Sequence, residues 1–191
     1  PWNMTRIYKK MSAEKVDKMI WMGDNLYLMP FYDLKNLKRI YNRYIGTRNN
    51  RHLKYFLSSG IKHYATWDDH DFGPNNSVGD YINAPLTTKA FKSFWVNPDL
   101  PERDSGVYSV VNSKDVDFFL TDSRTFRKKV KPSSFLGKTQ LDWLKQSLLN
   151  SNAIFKIIVI SNQVVNSFPG HESFLNYPKE RAELVNFINK N

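Results

Sequence analysis

The sequence predicts an α/β layered domain, and three observations support this fold class. Short apolar runs, such as Lys18 to Met22 and Ile154 to Ile160, are typical of buried strands. Between them, apolar residues recur three and four positions apart, as in Asp33 to Tyr44, which indicates helices. Two further runs within residues 107–120 flank a polar turn, which indicates an antiparallel hairpin. We therefore expect helices packed on mixed sheets.

The first half of the chain reads as strand, helix, helix, strand. The strand at Lys18 to Met22 runs into a Gly-Asp turn, and the helix at Asp33 to Tyr44 follows it. The apolar residues at positions 53, 56 and 57 suggest a second helix, which Gly60 stops. Ile61 to Trp67 predicts the next strand, which ends in an acidic segment.

The middle of the chain adds a helix and the hairpin. Thr87 to Trp95 is expected to be helical and to end near Pro98, because proline cannot continue a helix. Val107 to Val111 and Val116 to Leu120 are the predicted hairpin strands, with the turn at residues 112–115. The basic segment 123–138 is expected to be a loop.

The last third should contain two helices around one strand. Gln140 to Leu149 carries leucines on one face, which predicts an amphipathic helix. Ile154 to Ile160 is the strongest buried-strand signal in the chain. Pro178 to Ile188 predicts a closing helix, with the proline in its first turn and Leu184, Phe187 and Ile188 facing inward.

Composition excludes several classes of protein. The chain has 191 residues, 41% of them hydrophobic and 15% aromatic, so it is not intrinsically disordered. With no cysteine it has no disulfide, thiolate zinc site or cysteine nucleophile. The longest apolar run, Ile157 to Ile160, is too short to span a membrane. The net charge of +10 suits attraction to phosphate, whether on nucleic acid, lipid or a small ester.

Polar clusters follow three of the predicted strands. They are the segments Gly23 to Tyr27, Asp68 to Asn76 and Thr121 to Arg124, and Arg127 lies shortly after the third. In open α/β sheets, functional sites form beyond the carboxyl ends of the strands. We therefore expect these clusters to meet at one edge of the domain.

The acidic cluster needs compensation for its charge. Asp68, Asp69 and Asp71 lie within four residues, flanked by Trp67 and Phe72, which argue for partial burial. Buried carboxylates are costly unless cations or strong donors balance them, and a metal ion is the simplest candidate. Hard oxygen ligands suit Mg2+, Ca2+, Mn2+ or Fe3+.

Each of these features also has a purely structural interpretation. Asp24 could be a turn residue after Gly23, and the acidic run could be a solvated loop. Tyr27 could be a core aromatic with a bonded hydroxyl group. Arg124 and Arg127 could be salt-bridge partners of Asp122.

Taken in order, these segments resemble the PhoD-like alkaline phosphatases and phosphodiesterases, a branch of the metallophosphoesterases. The Trp-Asp-Asp-His-Asp run is the most specific part of the resemblance, which covers nearly the whole chain. The matching segments are Trp21 to Tyr27, Tyr64 to Asn75, Phe118 to Arg124, Leu136 to Leu144 and Tyr177 to Arg181.

The resemblance implies a fold and a metal centre. The fold is a layered α-β-β-α sandwich with mixed sheets, and residues 1–191 would form one such domain, incomplete at both ends. Fe3+ and Ca2+ are the implied metals, with Mn2+, Mg2+ or Zn2+ as alternatives. Carried over by position, the metal ligands are Asp24, Tyr27, Asp69 and Asn76, the phosphate contacts are Asn25 and Asn75, and the catalytic residues are His70, Arg124 and Arg127.

The implied activity is hydrolysis of phosphate monoesters or diesters. A metal-bound hydroxide would attack phosphorus in line with the leaving oxygen. Asp69 would bind metal, and His70 would stabilise the transition state or protonate the leaving group. The implied substrate is a phosphate ester, which includes nucleic acid, and the implied location is periplasmic or extracellular. No protein partner is evident in the sequence.

The chain departs from the family pattern at both ends. The family has an early Asp-containing ligand motif before the Gly-Asp strand and a late Gly-Asp-x-His motif after the final helix, and neither is found in residues 1–191. We therefore expect a fragment with weak metal binding and little activity by itself. The alternatives are a non-catalytic phosphate- or nucleic-acid-binding domain and a degenerate family member.

Overall fold

The computed structural model describes residues 4–28, 34–102, 106–168, 170 and 172–191, with the side chains of residues 4–6 left aside. Helices and strands alternate along it, which confirms the mixed α/β class. The helices are α1 (Met4–Ala13), α2 (Leu37–Arg48), α3 (Arg51–Leu57), α4 (Asp69–Phe72), α5 (Ala84–Phe94), α6 (Lys138–Asn150) and α7 (Pro178–Lys190). The strands are β1 (Lys18–Met22), β2 (Lys62–Thr66), β3 (Ser109–Ser113), β4 (Val116–Leu120) and β5 (Phe155–Val159).

The strands form two small sheets. In the first sheet, β1 and β2 run parallel, with Met22 opposite Thr66 at their carboxyl ends. In the second sheet, β4 lies in the middle, antiparallel to β3 and parallel to β5. The carboxyl ends of β2 and β4 lie side by side, because the hydroxyl group of Thr66 donates a hydrogen bond to the backbone oxygen of Thr121.

Alternation of side chains along the strands builds four layers. Ala65 of β2 packs against α2 and α5, while its neighbour Tyr64 faces the second sheet, where it meets Leu120 of β4. Phe119 of β4 faces the opposite way, toward the leucines of α6 and Leu184 of α7. The order is therefore helices, sheet, sheet, helices, which is the α-β-β-α arrangement that the sequence led us to expect.

Capping residues set several helix boundaries. The helix expected at residues 33–44 begins at Leu37, because the side chain of Asn36 accepts a hydrogen bond from the backbone of Lys38. Residue 33 lies outside the described part of the chain. Asn50 caps α3 in the same way, through the backbone N–H groups of His52 and Leu53.

The hairpin is longer at its tip than predicted. Ser113 pairs with Val116, so the turn consists of Lys114 and Asp115 alone, with Lys114 at φ +45°. The amide of Asn112 donates to the Asp117 carboxylate across the strands at 2.8 Å, which favours the extra pair. At the other end, Val107 is buried but lies before the first paired residue.

The prediction that β5 is fully buried is wrong. Its side chains at Phe155 and Ile157 are 62% and 43% exposed, and only Val159 is buried. The physical reason is that β5 is an edge strand, which pairs only with β4 among the described residues. Similarly, Ile188 of α7 is 47% exposed, whereas Leu184 is buried as expected.

Three short elements were not predicted. They are α1, the single turn α4 and a 3-10 turn at Phe174–Asn176. α4 is only four residues long, and three of the four residues from Asp68 to Asp71 are acidic. No apolar periodicity therefore marks it in the sequence. No helix within the described part of the chain is long and apolar enough to cross a membrane.

Candidate metal centre

The loops that follow β1 and β2 are in close contact at Gly23. A Cβ atom added at Gly23 would lie 2.8 Å from the Cβ atom of Asp68, and Gly23 has φ +111°. Both conditions favour glycine, which has no side chain and tolerates positive φ. The next residue, Asp24, also has positive φ at +50°, so the turn directs its carboxylate beside α4.

The contact brings three potential ligands together. One ligand atom each from Asp24, Asp69 and His70 lies within 4.8 Å of the other two. The Tyr27 hydroxyl group donates to the Asp24 Oδ2 atom at 3.1 Å, and its ring centroid lies 4.4 Å from that of His70. Partial burial, the bond to Asp24 and the nearby carboxylates raise the pKa of Tyr27. The structure thus brings together four residues that the sequence singled out.

Asp71 has a structural role in this region. Its carboxylate is fully buried and accepts hydrogen bonds from the backbone N–H groups of Asn25, Leu26 and Asp68. Burial raises the pKa of Asp71 to about 8, although these three bonds act in the opposite direction. Asp71 therefore ties the loop after β1 to the first turn of α4.

Asp68 is balanced by an arginine. Its Oδ1 atom accepts from the Arg124 Nε atom at 2.6 Å and lies 2.5 Å from the Nη2 atom. Our interpretation that a metal ion compensates all three carboxylates is therefore too broad. Protein groups satisfy Asp68 and Asp71, and Asp69 is the member of the acidic run that reaches the ligand cluster.

The three asparagines that the sequence singled out, Asn25, Asn75 and Asn76, lie in the loops around the ligand cluster. The backbone N–H of Asn76, at φ +60°, donates to the Asp69 Oδ2 atom at 2.6 Å and so orients that carboxylate. The Asn25 side-chain amide donates to the backbone oxygen of Thr66 at 2.7 Å. Asn75 is exposed in the same loop as Asn76.

Arg124 and Arg127 are buried and share one carboxylate. Arg124 is 0% exposed and Arg127 is 1% exposed, and both donate to Glu172, at distances between 2.5 and 2.8 Å. The guanidinium of Arg127 also lies 4.3 Å above the ring centroid of Phe135 and donates to Asn162. Burial alone would lower the pKa of Arg124, but its bonds to Glu172 and the charge of Asp68 raise it.

The expected alternative partner of these arginines, Asp122, has other contacts. It accepts from the Trp67 indole at 2.7 Å and from the backbone N–H of Val107 at 3.0 Å. The residue that sequence reasoning missed is Glu172, 48 residues from Arg124 in the chain. Nothing in its loop sequence marks it. His171, the histidine next to Glu172 in the sequence, lies outside the described residues.

The fold of the chain, but not its sequence, matches a known protein. No protein-family model and no curated protein matches the chain. Among solved structures, "Structure of PhoD" superimposes with a TM-score of 0.81 over 97% of this chain, at 19% sequence identity. The chain has the fold of PhoD. It covers 45% of the length of the PhoD chain.

Within this PhoD fold, the ligand cluster suits a hard cation. Carboxylate oxygens from two loops, an imidazole and a phenol converge, and one carboxylate is 5% exposed and held by a backbone N–H bond. Such donors are those that Fe3+, Ca2+ or Mn2+ accept. Asp24, Tyr27, Asp69 and His70 are therefore the residues that could hold a metal.

A separate basic cleft lies away from this cluster. Its volume is about 720 Å³, and it lies between α1 and α3. Its cationic lining residues are Lys9, Arg51 and Lys54, and no residue of the ligand cluster takes part in it. Cavity volume therefore does not mark the ligand cluster, which is distinguished by the geometry of its donors.

Proposed function

We propose that this protein is a metal-dependent phosphoric ester hydrolase. The observation that carries the proposal is the convergence of Asp24, Asp69 and His70 within 4.8 Å beyond the ends of β1 and β2. The shared fold with PhoD supports the same reading. Fe3+ and Ca2+ are the proposed metals, because the phenol of Tyr27 beside two carboxylates favours a highly charged ion.

The residues have distinct proposed roles. Asp24 and Asp69 would hold the cation, and the Tyr27 oxygen would be a further ligand in its deprotonated form. Asn76 keeps the Asp69 carboxylate in orientation through its backbone N–H. A bound cation supplies Lewis acidity, which activates water at neutral pH and neutralises charge on the phosphoryl oxygens.

His70 is the proposed proton donor. It lies on α4 next to Asp69, and its ring centroid lies 4.4 Å from that of Tyr27, with the two ring planes tilted by 36°. Histidine is the side chain that most often gives a proton to a leaving oxygen in general acid catalysis. Asn25 and Asn75 flank the cluster and are the proposed phosphate contacts. We also propose a periplasmic or extracellular location, which the resemblance to the PhoD-like family implies.

Metal binding is the first test of this proposal. We expect the protein to bind Fe3+ and Ca2+, and Asp69→Asn to weaken the binding of both by at least about tenfold, as loss of a charged ligand predicts. Asp142→Asn removes an exposed carboxylate on α6 and serves as the matched control. Equal binding by the Asp69→Asn variant and the unaltered protein would refute the proposed site.

Turnover is the second test. We expect slow hydrolysis of p-nitrophenyl phosphate and bis(p-nitrophenyl) phosphate, because only part of a multinuclear ligand set is found in residues 1–191. A chelator and the His70→Ala substitution should each abolish it. Rates that a chelator leaves unchanged would contradict metal dependence.

A second candidate function is non-catalytic binding of nucleic acid. Residues 1–62 hold thirteen of the 28 Lys and Arg but only four of the 18 Asp and Glu, so they carry a net charge of +9. In the described part of the chain, Lys9, Arg51 and Lys54 of the basic cleft form no ion pair. Binding of an oligonucleotide that falls steeply with salt, without metal binding, would favour this candidate.

A further inference from the structure

An ion-pair cluster adjoins the candidate metal ligands and consists of Asp68, Arg124, Arg127 and Glu172. We propose that Arg124 is a positioning residue, which fixes Asp69 and His70 through Asp68 and thereby sets the affinity for metal. This inference rests on the proposed function, because it concerns the metal ligands of the same site.

Every nitrogen atom of the Arg124 guanidinium group contacts a protein acceptor. Its Nε and Nη2 atoms contact the Asp68 carboxylate at 2.6 and 2.5 Å, and its Nη1 and Nη2 atoms contact Glu172 at 2.8 and 2.5 Å. The remaining Nη1 donor reaches the backbone oxygen of Ser77 at 3.3 Å. These four hydrogen bonds and the ion pair with Asp68 direct the guanidinium group toward protein acceptors rather than toward a phosphate group.

The contact with Asp68 acts on α4. Asp68 is the residue immediately before α4, and its backbone oxygen accepts from Phe72 while its backbone N–H donates to Asp71. α4 is one turn long and carries both Asp69 and His70. A single turn has little stability of its own, so external contacts fix its position, and the contact of Arg124 with the residue that precedes α4 is one of them.

Arg124 is also held by Glu172, on the side away from Asp68. The Glu172 carboxylate accepts hydrogen bonds from Arg124 and Arg127. Arg127 in turn donates to Asn162 and lies over the ring of Phe135. The cluster contains two cations and two carboxylates, so its charges balance. The Arg124 Nη2 atom also lies 4.0 Å from the Asp69 Oδ1 atom, so its positive charge reaches the ligand directly.

Arg127 offers a matched control. It is as buried as Arg124 and pairs with the same Glu172, but its hydrogen bonds reach neither Asp68 nor α4. Lysine at either position keeps the charge but loses the planar fork that binds two acceptors. Of the two substitutions, only Arg124→Lys therefore disturbs the contact with Asp68 at the start of α4.

The experiment measures the affinity for Mn2+ from the signal of the free ion in electron paramagnetic resonance. We expect Arg124→Lys to weaken Mn2+ binding by at least about tenfold, the usual effect of losing a group that orients metal ligands, and Arg127→Lys to change it less than about threefold. Thermal unfolding of both variants shows whether each is folded under the conditions of the Mn2+ titration. Equal losses of affinity in the two variants, or an unchanged affinity in Arg124→Lys, would overturn the inference.

A second measurement does not depend on metal. Hydrogen exchange at the amides of Phe72 and Gly73, which close the turn of α4, should be faster in Arg124→Lys than in Arg127→Lys. If Arg124→Lys does not fold, the charge-balanced pair Asp68→Asn with Arg124→Gln leaves the Arg127–Glu172 pair intact, and the same tenfold loss is expected.

The outcomes separate the inference from the proposed function. Absence of Mn2+ binding by the unaltered protein would overturn both. Binding that Arg124→Lys leaves unchanged would overturn the inference alone. Binding that Arg124→Lys weakens, in a protein that hydrolyses no phosphate ester, would support the inference and overturn the proposed activity.

Discussion

At the scale of single residues, Gly23 controls the approach of the two loops that form the candidate metal centre. Alanine at this position would combine a strained positive φ with a 2.8 Å contact to the Cβ atom of Asp68. We expect Gly23→Ala to lower the free energy of unfolding by about 1–3 kcal/mol, the usual cost of overpacking, and to weaken metal binding. Urea unfolding and a metal titration measure the two effects.

Gly46 provides the control for this substitution. It lies inside α2, and a Cβ atom there would meet nothing within 4 Å. Because alanine favours a helix over glycine, Gly46→Ala should stabilise the protein by about 0.5–1 kcal/mol. A loss of stability in Gly46→Ala similar to that in Gly23→Ala would contradict our account of the loop contact.

His63 gives a pH dependence outside the metal centre. Its Nδ1 atom accepts a hydrogen bond from the Trp21 indole at 3.1 Å, so that nitrogen must remain unprotonated. Burial lowers the pKa of His63 below its ordinary value. The unfolded chain therefore binds a proton more readily, and the stability contributed by neutral His63 is lost as pH falls below about 6.5.

The matched variant for this prediction is His63→Gln, which keeps an acceptor but does not titrate. We expect stability to fall between pH 7 and pH 5 by more in the unaltered protein than in His63→Gln. Thermal unfolding at several pH values measures the difference. Parallel pH profiles for the two proteins would show that His63 is not responsible.

At the scale of elements, α7 holds the segment that leads into α6. The Glu180 carboxylate accepts from the backbone N–H groups of Phe135, Leu136 and Gly137, at 2.8, 2.5 and 3.2 Å. Removing the carboxylate leaves these three N–H groups without their acceptor. An unsatisfied donor costs about 1–3 kcal/mol when it is fully buried, and less where water can replace the acceptor, as at these partly buried bonds. We expect Glu180→Ala to destabilise the protein by about 2–4 kcal/mol in urea unfolding.

Two further variants refine this prediction. Glu180→Gln keeps one oxygen acceptor and should lose less stability than Glu180→Ala. Glu183→Ala, on the same helix, removes an exposed carboxylate that pairs with Lys145, and such surface pairs contribute little. If Glu183→Ala were as destabilising as Glu180→Ala, the loss would reflect α7 in general and not the bonds to residues 135–137.

The elements differ in how well the sequence predicts them. β1, β2, β4 and α7 have nearly the expected bounds, because their apolar residues follow the period of the element and a turn residue or proline marks an end. α4 was not predicted, and β5 was wrongly predicted to be buried, for different reasons. α4 forms through contacts of Asp68 and Asp71 with distant groups, and β5 is apolar but lies at an edge.

At the scale of the whole molecule, metal binding should stabilise the fold. Asp24 and Asp69 lie 45 residues apart in the chain and meet only in the folded state, so a cation bound there is bound by the native form alone. A ligand at one hundred times its dissociation constant then adds about 2.7 kcal/mol. We expect added Mn2+ to raise the unfolding temperature of the unaltered protein and of Asp142→Asn, but not of Asp69→Asn.

The candidate site could be predicted from the sequence only in part. Asp24, Tyr27, Asp69 and His70 follow strands whose ends are adjacent, so their convergence follows from the topology. The partners of Arg124 could not be predicted, since Glu172 lies in an irregular loop and no spacing rule relates the two. The acidic run also looked uniform in sequence, whereas Asp68, Asp69 and Asp71 have three different surroundings.

The bonds of Arg124 also bear on the order in which the protein folds. Asp68 and Glu172 lie 56 and 48 residues from Arg124, on opposite sides of it in the chain, so closing both loops requires most of the polypeptide. During synthesis, which proceeds from the amino terminus, Arg124 cannot be neutralised on both sides until Glu172 has emerged from the ribosome. With Arg124 positioning α4 as proposed, a nascent chain takes up metal tightly at this site only after the segment that carries Glu172 has been made.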